Sequence, residues 1–418
     1  MQAVILAGGE SSRFWPINST HKSLLKIMGK PLIWYTIESL KKAGITEAIV
    51  IQGPKKEVEK ELDNYDLGVD IKYLVQPQPK GMGNAVMLSE KLINGSFFVF
   101  HAHKVNAGEY VKLLQNKANQ SKVNLILLGA KTDSPWLYGM VKLNGDKVKK
   151  LVEKPKKGSE PSDIMILGTY LLPREFFSYY RKVSEHQYAF EDALGLYMGK
   201  NDVRIAIVSE EFSTFKFPWH FFEIEKSLFD NFLEKKIDSS ATIGKNVVID
   251  GKVFVGKNAK ILDGVVIKGP CYIGENVVVG TNSLIRDYVD LEKDDNVGAL
   301  TEVARSIFQE GVHVHSGYFG DSVLGKNCKI GAGCITANVK IDRSEVFAVV
   351  KGEKRGTGRT SLGCFIGEGS GVGANSSFMP GVFIGKNSVI GPNSLVSENI
   401  ENGMLYYDKF EKVIKKKD

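Results

Sequence analysis

Residues Ala3 to Leu6 form a short apolar run that ends in Ala7-Gly8-Gly9, and the cations Arg13 and Lys22 follow. A strand feeding a Gly-Gly turn and then a helix-forming stretch lets backbone N–H groups approach an anion, because unpaired N–H groups and the helix dipole point the same way. The spacing is neither the dinucleotide fingerprint G-x-G-x-x-G nor a Walker loop. Two further groups carry chemistry. His101 and His103 lie two apart at the end of the apolar run Phe97 to Phe100, so on a strand both point to one face, and His220 follows far downstream. A basic stretch, DRSEVFAVVKGEKRGTGRTS, places Lys351, Lys354, Arg355 and Arg359 between Asp342 and Ser361. Taken singly, each of these cations reads equally well as a solvated surface charge.

The elements that must position these groups fall into two parts. A length of 418 residues suggests two or three domains with ample core. Hydrophobic content of 43% and charged content of 25% are those of an ordinary globular protein. The net charge of +7 is spread along the chain apart from Lys415 to Lys417, and small anionic substrates account for it as well as nucleic acid does. The expectation is no nucleic-acid partner. Cys271, Cys328, Cys334 and Cys364 contain no C-x-x-C, so neither a zinc knuckle nor a disulfide framework is indicated. Residues 1–9 lack a basic leader, and no apolar run reaches membrane-spanning length, which makes the cytoplasm the default and excludes a membrane role.

From Ile243 onward, aliphatic residues recur every sixth position: Ile249, Val255, Ile261, Ile267, Ile273, Val279, Ile285, Leu291, Val297 and Val303. A second run continues from Ile366 through Val372, Phe378, Ile384 and Ile390 to Val396, with Leu324 and Ile330 between the two. Neither a helix nor an alternating strand has period six. A solenoid of three short flat faces per coil does, with one aliphatic turned inward at each face and Gly or Asn at each corner. This is the hexapeptide pattern of left-handed parallel β-helices. The fold class expected is therefore an α/β domain, Rossmann-like with a mostly parallel sheet, over residues 1–232, then a left-handed parallel β-helix over 233–400. The repeat breaks near 304–318 and 342–361, which read as inserted loops, and 401–418 read as a basic tail.

The order Leu-Ala-Gly-Gly, Arg13, Pro16, Lys22, Leu25 and Gly29-Lys30-Pro31-Leu32 resembles the signature of sugar-1-phosphate nucleotidylyltransferases. The family has Gly and Thr where this chain has Ser11 and Ser12, and the Pro usual before the Lys is missing. The resemblance implies that Leu6, Ala7, Gly8 and Gly9 bind a nucleotide. It implies that Gln76 and Gly81 read a uracil or thymine edge, and that Gly139, Glu153 and Lys154 contact the sugar and its phosphate. A sugar phosphate oxygen would then attack the α-phosphorus of a nucleoside triphosphate and expel pyrophosphate, chemistry made mostly of positioning and charge neutralisation. Arg13 would hold the triphosphate and Lys22 the charge building at the α-phosphate.

In the second half, His315-Ser-Gly-Tyr-Phe-Gly-Asp-Ser followed by GAGCITANV is similar to the acetyltransferase half of the bifunctional enzymes that acetylate glucosamine-1-phosphate and then uridylylate it. That likeness implies His315 as general base with Asn338 as its companion, Tyr318 and Lys351 on the sugar phosphate, and acetyl-CoA as co-substrate. A neutral imidazole is suited to taking a proton from a sugar ammonium near pH 7. Such prisms commonly trimerise side by side, which implies a homotrimer or higher oligomer. The bland alternative makes His315 a corner residue and the basic loop a solvated excursion.

One departure stands against the first activity. The family carries an Asp after its central strand and a second near the domain's end, and these hold magnesium. Here His103 and His220 occupy the two positions, with His101 beside the first. Imidazoles suit zinc, cobalt, nickel or copper better than magnesium. The site is therefore an altered, transition-metal site, a binding site that has lost catalysis, or a cleft wall where the His side chains only hydrogen-bond. The expected function is nucleotidyl transfer from UTP or dTTP to a sugar-1-phosphate, coupled to amino-sugar acetylation. Two alternatives are an acyltransferase with a non-catalytic first domain and a regulatory or scaffold protein without turnover.

Overall fold

A computed structural model describes residues 1–208, 215–412 and 414–416, so Lys417 of the tail lies outside the described residues. Contacts divide the chain into two compact units, Met1–Glu10 with Pro31–Ser213, and Ser11–Lys30 with Thr214–Asp418.

The first unit is built on nine strands: β1 (Gln2–Ala7), β2 (Glu47–Gln52), β3 (Asp70–Val75), β4 (Phe97–His101), β5 (Ile126–Lys131), β6 (Gly139–Asn144), β7 (Lys147–Glu153), β8 (Ile164–Leu172) and β9 (Arg204–Ile207). Their order in the sheet is β3-β2-β1-β4-β8-β5-β9-β7-β6. The run β3-β2-β1-β4 is parallel, as crossover helices require, and β8 enters antiparallel between β4 and β5. Strands β1 and β4 are apolar on both faces, Val4, Ile5, Val99 and Phe100 being fully buried, as expected for central strands covered by helices on either side. The helix Leu32–Lys42 meets the helix Ala107–Ser121 so closely that the Gly108 N–H donates to Ser39 Oγ at 2.9 Å. The Gly-Gly turn leaves the C-terminal end of β1, beside the C-terminal end of β4, where open α/β sheets bind ligands.

The second unit is a left-handed β-helix of three parallel sheets, two of eight strands and one of nine. In the first coils each strand residue pairs with the one eighteen positions on, as Ile243 with Ile261, Ile249 with Ile267 and Val255 with Ile273, so the six-residue period becomes three columns of stacked aliphatics, one per face. Val255, Ile261, Ile267, Ile273, Val279 and Ile285 are all fully buried in those columns. Asn258, Asn276 and Asn282 take left-handed corners, and Asn258 Nδ2 donates to Asn276 Oδ1 of the next coil at 3.3 Å. A short polar side chain tolerates that conformation and bonds locally.

Three boundaries differ from the sequence reading. Residues 11–30 and the helix Phe221–Phe232 are grouped with the β-helix rather than with the α/β sheet. The reason is packing: Phe222 meets Phe365 at 5.9 Å between ring centroids, Phe229 meets Tyr288 at 6.1 Å, and Phe14 meets Phe215 at 4.3 Å. The break near 304–318 is a contraction and not an inserted loop. Asp290 pairs with Ile307 and Glu302 with Tyr318, so these rungs hold seventeen and sixteen residues instead of eighteen. The break at 342–361 is a true excursion, since Val323 pairs directly with Phe365 across it. It carries the antiparallel hairpin Phe347–Val350 with Glu353–Gly356. The solenoid also runs past 400, ending at Leu405–Tyr406 stacked on Val389–Ile390.

Buried ionisable groups give the second unit an opposed pH dependence. Burial, then the charge of Lys22, pulls the His21 imidazole down to about 3. Burial pushes Glu292 up to about 7, with Glu310 adding to the rise. Between 6.5 and 3 the unfolded chain binds the His21 proton more readily, so that contribution is full above 6.5 and is lost as pH falls. Between 4.5 and 7 the folded chain holds the Glu292 proton more readily, so stability falls as pH rises. Glu292→Gln is expected to raise the denaturant midpoint relative to wild type above pH 7, with the gain vanishing below 4.5. Denaturation curves across this range check it; a gain independent of pH would contradict the assignment.

Candidate functional site

In the first unit the Gly-rich turn is backed by a glutamine. A Cβ at Gly8 would come within 2.8 Å of Gln76 Oε1, so only glycine lets the turn lie against that side chain. Gln76 is buried, and its Nε2 donates to the Gly81 carbonyl at 3.2 Å and to Asn84 Oδ1 at 2.9 Å. Gln76, Gly81 and Gly8 are thus brought together, as are Leu6 and Ala7 at the end of β1. Asn84 was missed in the sequence. It lies three residues beyond Gly81, on the helix Met82–Leu88, and also reaches Glu185 Oε1 at 2.9 Å.

A second cluster forms where β6 and β7 end the strand order, and it borders the first, since a Cβ at Gly81 would lie 3.0 Å from the carbonyl oxygen of Gln187, the neighbour of Tyr188. Gly139 and Glu153 are direct partners on β6 and β7, and a Cβ at Gly139 would meet Glu153 Oε2 at 2.7 Å. Lys154 follows in a left-handed conformation, its N–H bonded to the Tyr138 carbonyl at 3.0 Å. Its ammonium lies 3.2 Å from Tyr188 Oη, 5.3 Å from the Tyr188 ring centroid and 3.6 Å from Glu153 Oε1. Tyr188 is a further residue the sequence did not mark. Burial pushes the neighbouring Glu191 carboxyl up, and Glu153 repels it further.

The imidazoles His101 and His103 stack, with centroids 5.6 Å apart and planes at 18°. The strand ends at His101, so His103 lies in the turn after it rather than on β4. The next residue, Lys104, is buried, and desolvation brings its ammonium down to about 8. His220 belongs to the other unit. Its Nδ1 accepts the N–H groups of Lys216 at 3.1 Å and Phe217 at 3.4 Å, and burial, followed by Lys22, pulls it down to about 4. It is a neutral acceptor that ties its own turn. Among the described residues no group of three or more His, Cys, Asp or Glu is gathered as metal ligands are. Magnesium demands oxygen ligands in near-octahedral array. A pair of stacked imidazoles beside a buried lysine does not fit it.

In the second unit Ser11 adopts φ 52°, the conformation that glycine takes freely. Its Oγ accepts the Lys22 N–H at 2.9 Å, which folds the segment between Arg13 and Lys22 on itself. Arg13 is exposed. The Lys22 ammonium donates to the Phe215 carbonyl at 2.6 Å and lies over the Phe14 and Phe215 rings at 4.9 and 5.2 Å.

On the β-helix His315 is exposed at a corner, its N–H held by the Ile330 carbonyl at 2.9 Å. The coil below is so close that any Cβ at Gly298 would overlap the His315 carbonyl. Asn338 sits at the other end of the same face. Its Nδ2 donates to Asp321 Oδ2 at 2.5 Å, and Asp321, fully buried, is gripped by Arg305 through Nε at 2.9 Å and Nη2 at 3.0 Å. The strand Gly317–Gly320 separates His315 from Asp321, six residues or on the order of 15–20 Å of extended chain. Within one chain, therefore, His315 and Asn338 are not brought together. Tyr318 lies nearer Asn338, its Oη packed over Gly320. Lys351 forms the tip of the basic hairpin in a left-handed conformation. Arg359 leaves the basic loop for an ion pair with Glu223 at 2.7 Å, so it is a structural tie.

The nucleotidyl transferase family model matches residues 2–219, more than half of the chain. The chain belongs to that family. Residues 252–287 and 363–398 match the bacterial transferase hexapeptide repeat, on either side of the contraction and the excursion. Across its length this family member is 32% identical to the Sulfurisphaera tokodaii "Bifunctional sugar-1-phosphate nucleotidylyltransferase/acetyltransferase", covering 97% of this chain and 100% of that protein. It is 31% identical to a Methanococcus maripaludis "Bifunctional protein GlmU", covering 100% of both. The chain is a transferase. No helix among the described residues is long and apolar enough to cross a membrane.

Proposed function

We propose that this transferase moves a nucleotidyl group from UTP or dTTP onto a sugar-1-phosphate with release of pyrophosphate, and acetylates an amino sugar from acetyl-CoA on its β-helix. The observation that carries the first half is Gln76 bonded to Gly81 directly behind Gly8. With both Nε2 hydrogens held by its own neighbours, this buried amide keeps Oε1 as a preorganised acceptor for the ring N–H of a pyrimidine edge. The match over nearly the whole chain to a relative whose name joins both activities supports the second half.

In the first reaction the sugar phosphate oxygen attacks the α-phosphorus as the bond to pyrophosphate breaks. The backbone at Leu6 to Gly9 receives the nucleotide and Arg13 the triphosphate. Lys22 exchanges the Phe215 carbonyl for the charge developing at phosphorus, and Lys154 leaves Tyr188 for the sugar phosphate. No step is assigned to a metal. His101, His103 and His220 as transition-metal ligands remain one outcome of the test, and an inactive first site remains the second reading, favoured because the described residues gather no group of three or more His, Cys, Asp or Glu as metal ligands. In the acetyl transfer the His315 imidazole takes the ammonium proton, the amine attacks the thioester carbonyl, the C–S bond breaks, and the leaving coenzyme thiolate takes the second nitrogen proton. Tyr318 and Lys351 hold the sugar phosphate.

The assembly we propose is a homotrimer in the cytoplasm. One face of the prism carries the outward column Val248, Val266, Leu284, Glu302, Tyr318, Ile335, Ser377 and Leu395, apolar at five of these positions, of which Val248, Ile335 and Leu395 are exposed. Pyrophosphate release from UTP and dTTP with several sugar-1-phosphates, scanned over magnesium, manganese, cobalt and zinc, tests the function. Turnover that requires a transition metal and is lost in His103→Ala is the result expected of a working His site. Acetyl-CoA consumption without pyrophosphate release under any metal selects the second reading, and binding without either turnover selects a regulatory protein.

A further inference from the structure

We propose that Asp290 and Glu292, on the β-helix, are positioning residues for the nucleotidyl transfer, acting through the hairpin turn Met28-Gly29 on the segment that carries Arg13 and Lys22. The inference rests on the first activity proposed above.

The segment Ser11–Lys30 ends in a two-stranded hairpin, Lys26–Ile27 with Lys30–Pro31. Met28 and Gly29 are both left-handed, at φ 51° and 73°, so two successive N–H groups open toward one side of the turn. Such a turn makes a concavity that receives anionic oxygen. Here the oxygen comes from the β-helix. The Met28 N–H donates to Asp290 Oδ2 at 2.7 Å and the Gly29 N–H to Glu292 Oε1 at 2.9 Å. The grip continues one rung on: the Lys26 N–H donates to Gln309 Oε1 at 3.1 Å, Gln309 Nε2 returns to the Lys26 carbonyl at 2.9 Å, and the Lys26 ammonium pairs with Glu310 at 2.6 Å.

Fold stability alone does not account for these carboxyls. Along their sheet, Asp290 occupies a column that starts at the exposed Lys236 and continues through Phe254, Tyr272, Ile307, Val323, Phe365 and Phe383, so from Phe254 onward every other member is apolar or aromatic. Asp290 and Glu292 are both fully buried, and Asp290 Oδ1 and Glu292 Oε2 have no hydrogen-bond partner. Burying a carboxyl with one oxygen unsatisfied is costly, and an apolar residue would stack better. What the carboxyls add is register. Each accepts one particular N–H, so the turn can seat in only one way, and with it the strand end of the signature segment. Phosphoryl transfer is the kind of reaction in which such seating matters, because its catalysis is mostly placement of charge.

The test uses the full-length chain carrying Asp290→Ala, Glu292→Ala, Asp290→Asn or Glu292→Gln. Pyrophosphate release and coenzyme A release are followed in the same preparations. The alanine variants are expected to lose kcat for pyrophosphate release on the order of 10- to 100-fold, the scale of a misplacement of about 1 Å. Coenzyme A release should hold, because neither side chain touches the proposed acetyl-transfer residues. The amide variants should recover most of the lost rate, since a carbonyl oxygen still accepts each N–H. Equal losses in both activities would make the carboxyls mere supports of the β-helix and overturn the proposal, as would alanine variants that keep the parent rate. A wild-type chain that releases no pyrophosphate with any metal would refute the underlying reading, and this inference with it.

Discussion

His315→Ala is expected to lower acetyl-CoA consumption by roughly 10²- to 10⁴-fold, the worth of a positioned general base, while pyrophosphate release stays at the wild-type rate. The argument begins with the backbone. The His315 N–H is tied to Ile330 of the following coil, and its carbonyl lies against Gly298 of the preceding one, so the main chain is clamped from both sides while the imidazole projects outward. A rigid backbone with an exposed ring is what a base needs to meet a mobile substrate. Asn338 is not its partner within the chain, because that amide is committed to the buried Asp321. The loss should therefore fall on kcat and track the imidazole itself. A variant that retains the parent acetyl-transfer rate would reduce His315 to a corner residue of the prism, and the basic hairpin would have to be reconsidered with it.

The second large effect concerns Lys22. Lys22→Met is expected to lower kcat for pyrophosphate release by about 10²- to 10³-fold, the range seen when one preorganised donor to a developing charge is removed. Methionine is chosen because the Lys22 ammonium lies over the Phe14 and Phe215 rings, and an unbranched thioether makes favourable contact with aromatic rings while deleting the charge. Acetyl transfer and the melting temperature should change little. The ammonium donates at 2.6 Å to the Phe215 carbonyl, a bond that a substrate oxygen can replace without moving the backbone. Unchanged pyrophosphate release would mean that Lys22 serves only to satisfy that carbonyl. A fall in both activities together would mark it as a structural cation of the second unit.

The readable parts of this chain share one property: their partners are local or periodic. The repeat from Ile243 to Val303 was legible because a three-faced coil repeats the same contact every eighteen residues, so one inward aliphatic per face leaves a six-residue mark. The contacts proposed for the β1 turn, Gln76 with Gly81, and Glu153 with Lys154 come from motifs that are short and sit at strand ends. The contraction at 290–318 was misread as an insertion for a related reason. Losing one or two residues and gaining a loop break the phase alike, and only the register of Asp290 with Ile307 and Glu302 with Tyr318 tells them apart.

What the amino-acid order determined by itself is the pair of architectures, since apolar periodicity and turn residues act over a few positions. Only the tertiary structure decided where the Arg13–Lys22 segment belongs. Its anchors, Asp290, Glu292 and Gln309, lie some 260 to 280 residues downstream and bind mainly its main chain, whose N–H and C=O groups are the same at every residue and so leave no trace in sequence. The same holds for Asn338, whose side chain could have faced His315 or Asp321. The width of the prism face, a matter of strand length rather than residue type, placed it on Asp321.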